Sequence, residues 1–125
     1  MRYYVDTCVW IDFVEGKEYA EELFADIIKY EDTLLISDLV SKEFLRYKDY
    51  NSISLLLAMF QSKGLLEHID TYSYQEGEAL TLSLRTSTPK PDALHAILAR
   101  DNDAILLTKD KHFLKLKDIC RIRLL

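Results

Sequence analysis

Five short apolar runs, separated by stretches with helical periodicity, constrain this chain of 125 residues more than any other feature. The runs are Tyr3–Val5, Leu34–Ile36, Leu65–Ile69, Ala104–Leu107 and Cys120–Leu124, each too short for a helix and each suited to a strand. Between them the spacing predicts helices over 17–31, over Leu39–Asp49 behind a Ser37 or Asp38 cap, over 52–63, over Tyr74–Ser87 and over Asp92–Asn102, where Pro91 suits a first helical turn. Strands joined by helical crossovers, with near-continuous apolar strand sequences, call for a three-layer α/β/α domain around a mainly parallel five-stranded sheet. With 49% apolar and 30% charged side chains, a single domain over 1–125 is expected. In such open sheets the site lies outside the carboxyl ends of the strands, near the point where strand order reverses.

Composition narrows the function classes. No apolar stretch is long enough to span a bilayer, and Asp6 interrupts the region where an export signal would be unbroken, so a soluble, cytoplasmic protein without a membrane partner is expected. Cys8 and Cys120 lack metal-ligand or disulfide-scaffold spacing and read as buried thiols. The formal charge of −5 argues against a polyanion as partner. That average conceals an asymmetry: residues 1–84 carry seven Lys/Arg against sixteen Asp/Glu (−9), whereas residues 85–125 carry nine against five (+4). The basic last third fits either a solvated face or a surface that meets phosphates.

Four carboxylates carry the chemistry. Asp6 follows the first strand and Asp110 follows the fourth, each beside a threonine, Thr7 and Thr108. Each alone reads as an ordinary turn or cap residue, and the two together are more informative. Glu43 interrupts the apolar arc of Leu39, Val40, Phe44 and Tyr47, so it must snorkel outward, pair with a buried base or meet a cation. Asp92 stands in the first turn of an almost wholly apolar helix, where the helix dipole alone would explain it, although Ala96 and Ala99 leave room beside it. Should the four converge, their mutual repulsion calls for a counter-charge. All-oxygen ligation favours Mg²⁺ or Mn²⁺ over Zn²⁺, and such an ion suits phosphodiester hydrolysis. No glycine-rich phosphate loop follows any strand, which excludes a nucleotide-binding motif.

The order and spacing of Tyr4-Val5-Asp6-Thr7-Cys8-Val9-Trp10-Ile11-Asp12, Ser37-Asp38-Leu39-Val40-Ser41-Lys42-Glu43, Asp92-Ala93-Leu94-His95-Ala96 and Leu107-Thr108-Lys109-Asp110-Lys111-His112-Phe113 resemble the PIN-domain family, most of all the VapC toxins of toxin–antitoxin pairs. The resemblance implies a metal-dependent endoribonuclease. It matches Asp6, Glu43, Asp92 and Asp110 to the family's acidic positions and Thr108 to a hydroxyl that orients the last acid. It also implies an RNA substrate, a homodimer and a cognate VapB-like antitoxin whose tail occupies the site. The segment Thr86-Ser87-Thr88-Pro89-Lys90-Pro91 replaces a glycine-containing lead-in of many relatives.

Other residues read more plainly. His95 is expected to be a satisfied core histidine that could orient Asp92, and Asp12 to brace the first short helix. His68 and His112 carry no signal. Arg85, Lys90, Lys109 and Lys111 suit either RNA phosphates or a solvated surface. An RNA-processing nuclease outside a toxin pair is the nearest alternative. A non-catalytic binding module is disfavoured, since concentrated negative charge repels phosphate. A phosphoacceptor built on Asp6 lacks a second Asp and a partner lysine.

Overall fold

A computed structural model describes residues 1–125 and joins all five strands in one sheet that is parallel throughout. The elements are β1 (Arg2–Val5), α1 (Thr7–Val14), α2 (Glu18–Lys29), β2 (Thr33–Ser37), α3 (Asp38–Phe44), α4 (Tyr50–Ser62), β3 (Leu66–Ile69), α5 (Ser73–Thr86), α6 (Lys90–Asp101), β4 (Ile105–Thr108), a 3₁₀ helix (Lys111–Leu116) and β5 (Ile122–Leu124). The strand order is β3-β2-β1-β4-β5. The chain steps outward from β1 through β2 to β3, then returns across the sheet to place β4 on the other side of β1. Right-handed crossovers on a path that reverses in this way put α5 and α6 on the face opposite α1–α4.

Each face of the sheet is closed by a different kind of packing. On one side Trp10 of α1 is fully buried and meets Phe24, Phe44 and Phe60 at ring-centroid distances of 5.1, 6.3 and 5.9 Å. Truncating such a residue to Ala costs about 3–5 kcal/mol. On the other side α6 buries every residue from Ala93 to Ala99, so this helix is apolar all round because it lies between the sheet and α5.

One element gains bounds that the sequence leaves open, and one is shorter than expected. Residues 7–14 form α1 directly after β1, although Thr7, Val9, Ile11 and Val14 are β-branched. Burial of Val9 and Trp10 overrides that weak local preference. The expected helix Leu39–Asp49 ends at Phe44, and the N–H groups of Leu45, Arg46 and Tyr47 bond to carbonyls three residues back, so the winding tightens into turns. Asp49 must leave the helix because it caps α4, accepting from the Ser52 N–H at 3.3 Å and the Ser52 hydroxyl at 2.7 Å. The cysteines differ as well: both are free, and Cys120 is buried, but Cys8 is exposed because the first turn of α1 lies at the open carboxyl edge of the sheet. No helix is long and apolar enough to cross a membrane.

Candidate functional site

The strand order reverses between β1 and β4, and the segments that leave those two strands carry Asp6 and Asp110. Asp6 is the N-cap residue of α1 and only 8% exposed. Its Oδ2 accepts the Thr108 hydroxyl at 2.9 Å, a bond that ties the last residue of β4 to the end of β1. Thr108 Oγ1 also accepts the Asp110 N–H at 3.1 Å. The hydroxyl therefore orients the Asp6 carboxylate and the Asp110 backbone, while the Asp110 side chain is held elsewhere. Its Oδ1 takes both the N–H and Nδ1 of His112 at 2.9 Å. Thr7, also buried at this edge, has an Oγ1 with no hydrogen-bond partner.

The other two acids come from opposite layers. Asp92 stands in the first turn of α6 and is partly buried. Glu43 lies in the last turn of α3 with its side chain 36% exposed, and its Oε1 is 2.7 Å from Nε2 of His95. Of the readings open for Glu43, a buried base is what the structure supplies. His95 is 2% exposed and uses both ring nitrogens, because Nδ1 lies 2.6 Å from the Tyr4 hydroxyl. It is a satisfied core histidine, bonded to Glu43 rather than Asp92.

The electrostatics of this edge are those of unpaired negative charge. Burial pushes the Asp6 carboxyl above its ordinary value; the Thr108 hydrogen bond and His95 oppose the shift and Glu43 adds to it. Burial likewise raises Asp92, with His95 opposing and Asp110, Asp6 and Glu43 all contributing upward. Each of the four acids is thus felt by at least one other. None of them forms an ion pair with Lys or Arg. No three His, Cys, Asp or Glu side chains stand close enough together to enclose one ion. The donor set still suits a hard divalent cation, since Mg²⁺ commonly takes one or two carboxylates and keeps several waters.

A groove of about 380 Å³ runs beside Asp92 and Asp110, lined also by Ser87, Thr88, Pro89, His112 and Lys115. His112 and Lys115 were not singled out in the sequence. An Asp followed two residues later by a bonded N–H is the Asx-turn pattern that could have drawn attention to His112. A larger cavity, about 500 Å³, surrounds Cys120 and Ile122 at the far end of β4, away from these acids. Asp12 lies inside α1 and accepts the Tyr19 hydroxyl and, at 2.5 Å, the Lys109 ammonium, so it braces that helix and leaves Asp6 without a lysine.

A model of the PIN domain matches residues 3–119. Among solved structures, the chain is similar to VapBC2 from Rickettsia felis bound to a DNA fragment from its promoter (21% identity, TM-score 0.74, 100% of this chain and 99% of that one). It is similar also to DNA-bound VapBC from Salmonella typhimurium (19%, 0.71, 98% and 97%) and to a toxin–antitoxin complex from Klebsiella pneumoniae (18%, 0.68, 89% of each). A search of curated proteins finds no match. The family model spans nearly the whole sequence, the matched structures share its fold from end to end, and the chain belongs to the PIN domain family.

Proposed function

We propose that this chain, as a single PIN domain over residues 1–125, is a divalent-metal-dependent endoribonuclease and the toxin of a VapBC-type pair. The observation that carries the reading is that Asp6 and Asp92 are pushed upward by burial and by neighbouring acids, Glu43 for both and Asp110 for Asp92, with no Lys or Arg paired to any of the four. A cluster of this sign repels an RNA phosphate unless a cation intervenes. The same residues that destabilise one another would hold Mg²⁺ or Mn²⁺. When bound, such an ion supplies a water nucleophile at neutral pH and neutralises charge that develops on a phosphoryl group.

The residues of the chain have distinct tasks in this scheme. Thr108 fixes Asp6 Oδ2, and His95 holds Glu43 Oε1. His112 restrains Asp110, and the unpartnered Thr7 hydroxyl remains free to bond at the same edge. Lys115 brings positive charge to the groove beside Asp92 and Asp110, where an RNA backbone would pass. Similarity to VapBC complexes supports a VapB-like antitoxin as partner, and a homodimer is the assembly that goes with this reading.

The test is cleavage of a pooled tRNA and rRNA substrate by wild type, Asp6→Asn and Asp92→Asn, all confirmed as folded. Discrete cuts that require Mg²⁺ or Mn²⁺ and vanish in both variants are expected. A folded wild type that cuts nothing in that pool overturns the nuclease reading. Growth arrest on expression, relieved by a co-expressed small neighbouring gene product, is expected for the toxin role; cleavage without arrest assigns the chain to RNA processing instead.

A further inference from the structure

Four side chains from four elements form one unbroken hydrogen-bonded chain beneath the site. Ser37 Oγ at the end of β2 is 2.7 Å from the Tyr4 hydroxyl of β1, which is 2.6 Å from His95 Nδ1 of α6; His95 Nε2 is 2.7 Å from Glu43 Oε1 of α3. Ser37, Tyr4 and His95 are all buried, so water cannot stand in for a missing partner.

The proton inventory gives this chain one direction. A Glu43 carboxylate only accepts, so Nε2 of His95 carries the hydrogen it receives. In a neutral imidazole Nδ1 is then bare and accepts from the Tyr4 hydroxyl. The Tyr4 oxygen in turn accepts from Ser37, whose own oxygen accepts the Val40 N–H at 3.3 Å and so caps α3. Every polar atom is satisfied in that arrangement. The other neutral tautomer would set a bare Nε2 against a carboxylate oxygen at 2.7 Å, two acceptors with no hydrogen between them.

Glu43 needs such a restraint. It sits in the last turn of a seven-residue helix, just before the winding tightens, and its Oε2 makes no hydrogen bond within the protein. We infer that Tyr4 and His95 are positioning residues for Glu43: Tyr4 donates to the bare Nδ1 and so holds the His95 ring with its Nε2–H on Glu43, which commits one Glu43 oxygen and leaves the other for the divalent cation. This rests on the metal-dependent reading above. Outer partners of this kind change metal affinity by about 10–100-fold when removed.

Two measurements test it. Nitrogen-15 NMR of the metal-free wild type is expected to show His95 with a protonated Nε2 and a bare Nδ1; the reverse tautomer overturns the inference. Mn²⁺ binding, read by electron paramagnetic resonance without RNA, is expected to weaken about tenfold in Tyr4→Phe and to show no such loss when Tyr4→Phe is placed on a Glu43→Gln background. Unchanged affinity in Tyr4→Phe, or an equal loss on both backgrounds, overturns it. His95→Gln, which keeps a side-chain N–H, is expected to bind Mn²⁺ more tightly than His95→Leu; equal affinities also overturn it. A wild type that shows the expected tautomer and binds Mn²⁺ through Glu43 but cuts no RNA fails the nuclease reading and supports the positioning role. A wild type that binds no Mn²⁺ fails both.

Discussion

The two ends of α6 carry an aspartate each, and the two behave in opposite ways. Asp101, in the last turn, stands where the helix dipole disfavours an anion. Burial pushes it up, yet hydrogen bonds from Arg100 and Gln75 more than compensate and hold its carboxyl below the ordinary value. Asp92, in the first turn, has the dipole in its favour, but burial and the neighbouring acids drive it above that value. The contrast extends over the sheet. At the amino end, Met1 pairs with Asp32, Arg2 with Glu67, and Arg100 with both Glu78 and Asp101. At the carboxyl end, none of Asp6, Glu43, Asp92 and Asp110 pairs with Lys or Arg, and only Glu43 and Asp110 meet a histidine. Acidic residues alone do not mark a site; acids left without a strong base at the sheet's switch point do.

The largest expected effect separates the two ends by activity. Asp92→Asn should lower metal-dependent RNA cleavage by about 10²–10³-fold, the scale on which one lost electrostatic contact to a transition state acts. Asp101→Asn should leave the rate unchanged. Comparable losses in both would mean that cleavage depends on α6 as a whole.

A smaller effect sharpens the comparison through stability and pH. Because the Asp92 carboxyl is raised in the folded chain, its favourable contribution is complete below the ordinary value of 3.8 and is lost as pH rises through the raised value. Asp92→Asn should therefore raise the Tm of the metal-free protein by a few degrees at pH 7, and the gain should fade in acid. Asp101 has the opposite sign: its contribution is present above 3.8 and is lost as pH falls through its lowered value. Asp101→Asn should lower Tm at pH 7, with the deficit shrinking in acid. Thermal unfolding of the three proteins between pH 3 and 7 checks both.

The smallest effect belongs to the exposed pairs at the amino end. Glu67→Gln removes the partner of Arg2, 2.6 Å away, and should cost no more than about 1 kcal/mol by urea unfolding, without altering cleavage. A larger cost would show that this end is braced more tightly than its exposure indicates.

Much of this arrangement is legible in the sequence, and its omissions have physical causes. The five strands announce themselves because buried parallel strands are continuous apolar runs, as in Leu34-Leu35-Ile36. The first short helix, the one Asp12 is expected to brace, has no readable bounds, since the β-branched residues among 7–14 suit strand as readily. Asp6 and Asp110 stand out because each lies within two residues of a strand's carboxyl end. Glu43 stands out only as an anomaly on an apolar arc, and that arc is shorter than its periodicity implies because Asp49 is claimed by α4. The Ser37–Tyr4–His95 linkage is not readable at all. Its bonds join residues 33 and 91 positions apart, and no local pattern encodes a tertiary hydrogen bond. Nor does composition distinguish Lys109, spent on Asp12, from Lys115, which lines the groove.

The most direct test of the unpaired acidic edge is calorimetric titration of the RNA-free protein with Mn²⁺ at pH 7, wild type against Asp6→Asn. Saturable binding to wild type that raises its Tm, by about 2.7 kcal/mol of added stability at a hundredfold excess over Kd, and that is lost in the folded variant, is the result expected. No binding to the folded wild type, or equal binding to both proteins, would contradict a cation site at the carboxyl ends of β1 and β4.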